Sequence, residues 1–451
     1  MKLNFFYNLA FTIFLVVTNS LEGYSQQTIT LQQAITISLS NNPSIKQALL
    51  NETGNNLDWE QSKADLYPSL NVNTASNMNF ARTTDPSTNL MSAQNSFTFS
   101  GEVVTNIAIF QGFRKLEQIK YNKSLLESSR SNVEKLKNNL RLQVISTYLS
   151  ILNYQDQLMA VNDQMALANH SFDDVIKQFK AGKKMQADTS RAQSQVLKTE
   201  VDKVTIVNQL NSAILDFKQL LNLPPDTTVV FSKPADENIK IEQQLVDRIY
   251  NTAVVDFPDI KQEEFVLASK KQALVIAKSG FYPTLSFSGV VASSYLHQLQ
   301  NYVSFFNLPE APFFKQLHTN LYEYASLNLS IPIFNNLHNK IAASKAKIDL
   351  ENEAINLNMA KNNLYKIINQ AKNDLDAAEK NFYLAKQSYG AAKETFNATE
   401  KRYKGGLSSS LDYNQAQSDM NAAQFTMIKD KYDLVFKSKV IAYYLGNDIN
   451  Y

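Results

Sequence analysis

A chain of 451 residues has room for one large or two to three ordinary domains. Its 44 lysines and arginines stand against 42 aspartates and glutamates, which gives no basic excess of the kind that nucleic acid attracts. The absence of cysteine excludes disulfides, thiolate metal sites, cysteine nucleophiles and lipid attachment at an N-terminal cysteine.

At the N-terminus Lys2 precedes the apolar run FFYNLAFTIFLVV, and Gly23 and Ser25 are small residues at −3 and −1 to a cut before Gln26. This is the pattern of a secretory signal peptide, residues 1–25, and the run falls short of the ~20 residues that span a bilayer as a helix. No later apolar run reaches that length. A mature chain that enters a membrane must therefore do so as a β-barrel, since lipid offers backbone groups no other partner.

The rest is written twice. NNPSIKQA at 41–48 returns as DFPDIKQE at 256–263, and LYPSL at 66–70 as FYPTL at 281–285, both displaced by 215 residues. IAIFQGF at 107–113 then matches IPIFNNL at 331–337, and FKAG at 179–182 matches YKGG at 403–406, displaced by 224. Asp188, Ala192, Gln193 and Ser194 match Asp412, Ala416, Gln417 and Ser418 in the same register. Ordered matches of this kind mark a tandem duplication, with a first repeat over 26–230 and a second over 231–451.

In each repeat a helix follows Pro43 or Pro258, because proline suits the first helical turn. A Tyr-Pro pair ends it near Leu66 or Phe281, since the residue before proline is pushed out of the helical region. Two strands follow, at 69–80 and 97–110 in the first repeat and at 284–295 and 321–333 in the second. Next come helical stretches at 114–180 and 338–404, free of proline and holding one glycine, Gly390. Each would be ~100 Å long at the α-helical rise, far beyond the usual three or four turns. Last helices run from Asp188 to about Leu221 and from Asp412 to about Leu445, each after a glycine-containing break. Stacked end to end, the two shorter helices of a repeat match the long one, as in the wall of a rod or tube.

The strands alternate with period two, which puts one residue set on each face. Leu70, Val72, Met78 and Phe80 oppose Asn71, Asn73, Asn77 and Asn79; Phe97, Phe99, Val103, Ile107 and Ile109 oppose Thr98, Ser100, Glu102 and Asn106. Leu285, Phe287, Val291 and Tyr295 oppose serines and Thr284, and Leu327, Leu329, Ile331 and Ile333 oppose Ser326, Asn328 and Ser330. A half-buried soluble sheet alternates in the same way. The strand lengths, however, suit tilted membrane strands, and four strands cannot close a barrel whose smallest known size is about eight. The chain is expected to share a barrel with copies of itself, two copies giving eight strands and three twelve. Twelve would leave a wide lumen, lined by the asparagine face. Aromatic residues Tyr302, Phe305, Phe306, Phe313 and Phe314 fall between the third and fourth strands.

Signals for catalysis are lacking. His170, His297, His318 and His338 show no metal-ligand spacing, and no G-x-S-x-G is present. AGKK at 181–184 has no glycine five residues before Gly182 and no strand ahead of it, so it is no phosphate loop. The chain does not read as an enzyme, and no cofactor or metal is expected.

Two repeats of short helix, Tyr-Pro, two strands, Ile-Phe, long helix and glycine tip resemble the TolC-like outer-membrane efflux protein family. The most specific stretch is RYKGGLSSSLDYNQAQ, Arg402 to Gln417. The resemblance covers about 28–446 and implies a mainly α fold with a membrane β-barrel portion. In it, long antiparallel helical hairpins form a trimeric α-barrel, and four strands per chain enter one twelve-stranded barrel. It further implies a homotrimer in the outer membrane that reaches into the periplasm. Such a channel passively conducts drugs, small molecules or proteins from an inner-membrane pump and a periplasmic adaptor to the exterior. No nucleic acid is implied.

By position, the resemblance puts 179–188 and 403–412 at the periplasmic mouth, with Lys180, Gly182, Arg402, Gly405 and Gly406 where an adaptor docks. Asp188 and Asp412 are placed to open their helices as caps or to form a carboxylate ring that narrows the pore and draws cations. Arg191 lies at i+3 from Asp188 and is able to pair with it, while Gln415 replaces a second acid that relatives carry. These residues are the candidate gate. The competing expectation is an exported coiled-coil adaptor or surface scaffold without a pore, which would show one hairpin between β-rich modules.

Overall fold

The computed structural model describes residues 27–84, 89, 91–233, 245–299 and 310–446. The predicted signal peptide, residues 1–25, lies outside them, as do Tyr302, Phe305 and Phe306. In chain order the elements are β1 (Gln27–Ile29), α1 (Leu31–Asn41), α2 (Pro43–Ala64), β2 (Ser69–Thr84), β3 (Met91–Gln111), α3 (Arg114–Lys180), α4 (Gln186–Leu221), β4 (Val229–Phe231), α5 (Val246–Asp256), α6 (Pro258–Ser279), β5 (Thr284–Gln298), α7 (Phe313–Thr319), β6 (Tyr322–Ser330), α8 (His338–Lys404) and α9 (Ser410–Tyr444). Each long helix holds 67 residues. No helix among the described residues is long and apolar enough to cross a membrane. Two compact units divide the chain.

The first unit comprises the described parts of Met1–Leu50, Ser131–Lys261 and Met359–Tyr451 and is helical apart from one small sheet. In that sheet β1 pairs in parallel with β4, Thr28 opposite Val230. The core gathers Ile29, Leu31, Ile35 and Ile45 against Val144, Ile145, Ile151 and Leu152 of α3 and Phe217 and Leu221 of α4. At its centre Tyr148 packs on Phe217 and Phe231, with ring centroids 5.9 and 5.6 Å away. Its hydroxyl, buried with the ring, lies 2.7 Å from the Ser232 carbonyl and 3.1 Å from that of Ile29. One side chain thus pins both short strands to the long helix. Tyr148→Ala should cost about 3–5 kcal/mol by emptying this site, and Tyr148→Phe about 1 kcal/mol for the lost hydrogen bond. Thermal unfolding of the purified protein checks both.

The end-to-end stacking of short helices takes the same form in both repeats. At the α4–α2 junction Asn42 Nδ2 donates to the Leu220 carbonyl at 3.1 Å. At the α9–α6 junction Phe257 packs on Tyr443 and Tyr444 at 5.5 and 5.6 Å.

The second unit, Asn51–Arg130 and Gln262–Asn358, carries a four-stranded sheet in the order β2-β3-β5-β6. Every neighbouring pair is antiparallel. Register places Val72, Val103 and Val291 in one cross-strand row, and Phe287 with Leu327 and Ile107 in another. The opposite face carries Asn71, Asn73, Asn77 and Asn79, and there Asn73 Nδ2 donates to Glu102 Oε1 at 3.0 Å. The apolar face of β2 is open to solvent within the chain: Leu70, Val72, Met78 and Phe80 are 61–74% exposed. One acid, Glu323, ends the row of valines on the apolar side.

Three details depart from the sequence expectation. β2 and β3 are longer than predicted, reaching Thr84 and starting at Met91. A bulge between Ala108 and Phe110 passes the apolar face to Phe110, opposite Leu285, so Ile109 has no place in the row assigned to it; an extra residue in one strand shifts the alternation by one. β6 ends at Ser330, leaving Ile331 and Ile333 outside the strand, since Pro332 has no N–H to continue a ladder.

Beyond β6 the edge of β5 is capped by side chains. Gln316 of α7 both receives from Leu296 N and donates to Leu296 O, each at 3.1 Å, and Asn320 Nδ2 donates to Ser294 O at 2.8 Å. Phe313 seats on Phe99 and Tyr295 at 5.6 and 4.8 Å. Both strand-to-helix junctions use two successive left-handed residues, Gly112–Phe113 and Asn336–Leu337. At Gly112 a Cβ would stand 2.8 Å from the Ser279 carbonyl, so only glycine fits there.

Candidate functional site

The two hairpin tips close by the same device. α3 ends with Gly182 N donating to Phe179 O at 2.9 Å and Lys183 N to Gln178 O at 2.9 Å. α8 ends with Gly406 N donating to Tyr403 O at 3.0 Å and Leu407 N to Arg402 O at 2.8 Å. This paired pattern needs a left-handed residue at its corner, and Gly182 and Gly406 supply it at φ 72° and 73°.

Gly405, grouped with them from the sequence, has no such conformation; its counterpart in the first repeat is Ala181, and a Cβ there would meet carbonyls at an ordinary 3.5 Å. Gly182→Ala and Gly406→Ala should each lose about 1–2 kcal/mol, while Gly405→Ala loses nothing. Melting curves of the three variants separate the roles.

Asp188 and Asp412 do not open their helices, as the sequence suggested. α4 begins at Gln186 and α9 at Ser410, so each aspartate is the third helical residue, and the caps are Met185 and Ser409. Both carboxylates reach back to the cap backbone, from Met185 N and Ser409 N at 3.2 Å, the acidic arm of a capping box. Their other partners differ.

Asp412 is exposed and held within its own helix start, accepting from Ser409 Oγ at 2.8 Å and Ser408 Oγ at 3.2 Å. The Ser409 hydroxyl, its N–H and the Ser408 hydroxyl keep that carboxyl below its ordinary pKa. Gln415 likewise looks along its helix, donating to Asp419 at 2.8 Å.

Asp188 turns to the other hairpin. Ser410 Oγ donates to Asp188 Oδ1 at 2.6 Å, and Arg191 Nη1 lies 3.4 Å from the same hydroxyl and 3.7 Å from the carboxylate. The Asp188 side chain is only 17% exposed. The Ser410 hydroxyl first, then the Met185 N–H and the charges of Lys184 and Arg191, hold its pKa below the ordinary value against the opposing pull of burial.

Two further contacts join the hairpins. Lys184 Nζ sits 4.4 Å over the Tyr403 ring, which stacks on Tyr413 at 4.9 Å, and Lys198 Nζ donates to Ser418 Oγ at 3.1 Å. Arg191 and Asp188 are thus brought together as the sequence suggested, whereas Asp412 and Gln415 bond inside α9. Sequence reasoning missed Ser410, Lys184 and Tyr403, whose partners lie more than 200 residues away. Lys180, Arg402, Gly182, Gly405 and Gly406 are exposed at the turns.

The fold has counterparts among solved structures. A membrane protein from Pseudomonas aeruginosa superposes with TM-score 0.79 at 17% identity, over 92% of this chain and 93% of that one. The outer membrane protein VceC of Vibrio cholerae gives 0.76 at 13% identity, over 93% and 97%. The outer membrane channel CmeC of Campylobacter jejuni gives 0.75 at 16% identity, over 92% and 85%. Among curated proteins, Nodulation protein T of Rhizobium leguminosarum bv. viciae is 21% identical over 269 residues, 60% of this chain, and the match spans about half (54%) of that relative. The model of the outer membrane efflux protein family matches residues 34–223 and 249–447, that is, both repeats with their tips. The chain belongs to the outer membrane efflux protein family.

Proposed function

We propose that three copies of this chain close one twelve-stranded barrel in the outer membrane and continue through the periplasm as an α-barrel. The assembly is the exit duct of a tripartite efflux or type I secretion system. Residues 1–25 direct export. A periplasmic adaptor docks at the tips, an inner-membrane pump supplies the energy, and the duct conducts drugs, small molecules or proteins passively.

The observation that carries this is the open sheet. Its outermost strands, β2 and β6, run in opposite directions and leave their outer edges unpaired within the described chain. β6 of one copy can therefore continue antiparallel onto β2 of the next. Closure removes the edges and is the one way a sheet satisfies its backbone in lipid. The apolar face then meets lipid, and Asn71, Asn73, Asn77 and Asn79 line the lumen. Helix faces support the same assembly: Leu50 and Leu57 on α2, and Ile341, Ile348 and Ile355 on α8, are 50–71% exposed at seven-residue spacing, the seam of a helix that packs on another. At the mouth, Asp188, Arg191, Asp412 and Gln415 form the constriction, with Asp188 as the latch between hairpins.

Fractionation and deletion test this. The protein is expected as a trimer confined to outer-membrane fractions, and loss of the gene should abolish export of a dye, drug or secreted protein. A soluble periplasmic monomer would sink the duct and favour the adaptor alternative.

A further inference from the structure

A cavity of about 670 Å³ lies at the α9–α6 junction, within the first unit, walled by α1, α3, α5 and the end of α9. That is the size of a pocket that holds a small organic ligand. Phe257, Tyr443 and Tyr444 line it and touch one another, the two tyrosine rings being 5.1 Å apart. Ile35 and Leu39 of α1 add aliphatic surface.

One cation in the lining stands without a counter-charge. Arg141 is half-buried, and its Nη1 donates to Asn138 Oδ1 at 2.5 Å. Asn138 also bonds the Tyr443 hydroxyl, so one amide ties the guanidinium to the aromatic wall. Arg141 makes no ion pair among the described residues. The two acids of the lining are each met by a lysine, Glu134 by Lys137 at 2.7 Å and Asp256 by Lys261 at 2.9 Å. A guanidinium drawn partly out of water is costly without an anion beside it, and its planar fork of donors matches a carboxylate.

The duplication shows that the junction does not need this lining. The first repeat has Asn42 in place of Phe257, and Gln219 and Leu220 in place of Tyr443 and Tyr444; the second has Tyr365 in place of Arg141. There the Asn42 amide closes directly onto the Leu220 carbonyl. Three rings and a lone cation are thus an addition to one junction. α2, α4 and α8 contribute nothing to the wall, so covering the exposed seams of α2 and α8 uses none of its residues.

We propose that this cavity binds a small organic anion, with Arg141 pairing its carboxylate and Phe257, Tyr443 and Tyr444 holding a flat apolar body. The site lies within one chain and goes beyond the exit-duct reading, on which it does not depend.

Titration calorimetry of the full chain in detergent tests this with three probes that share one ring system: naphthoate, neutral naphthalenemethanol and cationic naphthylmethylammonium. Naphthoate should bind at least about tenfold more tightly than the other two, the weight of a hydrogen bond to a charged group. Arg141→Gln should erase that preference and leave binding of the alcohol unchanged. Thr36→Trp, which fills the cavity from α1, should weaken both probes about tenfold or more. If Arg141→Gln does not fold, the probe series on the unmodified chain and Thr36→Trp still decide. Equal binding of the three probes, a preference for the ammonium, or no binding at millimolar concentration overturns the assignment. So does a preference for naphthoate that survives Arg141→Gln, or binding untouched by Thr36→Trp.

Discussion

Val103→Lys should keep the chain from reaching the outer membrane as a trimer, whereas Glu102→Lys should assemble and turn the ion selectivity of the pore toward anions. The two residues are neighbours midway along β3, at nearly the same depth. Register puts Val103 between Val72 and Val291 on the apolar face, and Glu102 between Asn73 and Ala292 on the other. A lysine on the lipid face costs about 2–4 kcal/mol at the bilayer midplane and progressively less toward the interfaces. Three copies multiply this to about 6–12 kcal/mol, as much as the whole stability of many folded domains. At Glu102 the same ammonium meets water in a lumen, and the exchange of three carboxylates for three cations changes the field that a permeating ion crosses. Gel analysis of outer-membrane fractions reads assembly, and reversal potentials in planar bilayers read selectivity. If Val103→Lys assembled and Glu102→Lys did not, the faces would be assigned the wrong way round.

The faces could be assigned because their signal is local. An apolar residue at every second position needs no partner to be recognised, and the asparagines of β2 are as visible in the sequence as in the sheet. The long helices were legible for a related reason. Over 67 residues neither α3 nor α8 contains a proline, and Leu140, Val144, Tyr148 and Ile151 mark the buried stripe that the core then uses. The duplication reinforced the predicted helices and the four sheet strands by showing each pattern twice.

What stayed hidden lacked either length or locality. β1 and β4 are three residues each and pair across some 200 residues, too short for a period to register. The bulge after Ala108 is one residue of slippage, which alternation alone cannot date. The end of β6 was written in Pro332, but Ile331 and Ile333 kept the alternation going past it. At the tips the repeat held an unused clue: Ala181 at the place of Gly405 says that only the second glycine of the pair, Gly406, must be left-handed. Ser410 carried no clue at all, because its counterpart is Gln186 and its partner Asp188 lies on the other hairpin.

Ser410→Ala should raise the open fraction of the channel about tenfold or more. The substitution removes a 2.6 Å hydrogen bond to the Asp188 carboxylate, a class of bond worth about 1.5–3 kcal/mol. The Arg191 contact that remains, at 3.7 Å and with an arginine 53% exposed, is a surface pair of little value. Each 1.4 kcal/mol is about a factor of ten in an equilibrium, and the proposed trimer would have three such latches to lose. The pKa of Asp188 adds a second readout. Because it lies below its ordinary value in the latched tip, the ionised carboxylate favours that tip at any pH above the ordinary ~3.9. The contribution fades as the pH falls through the depressed value. The native channel should therefore open on acidification below about pH 4. Ser410→Ala, lacking the main cause of the depression, should show a flatter response. Asp412→Asn is the control, since its depressed pKa comes from Ser408 and Ser409 at its own helix start; it should soften α9 and leave the coupling between hairpins in place. Single-channel recordings across pH decide the matter: with conductance and acid response unchanged in Ser410→Ala, Asp188 would be the acidic arm of the α4 capping box and nothing more.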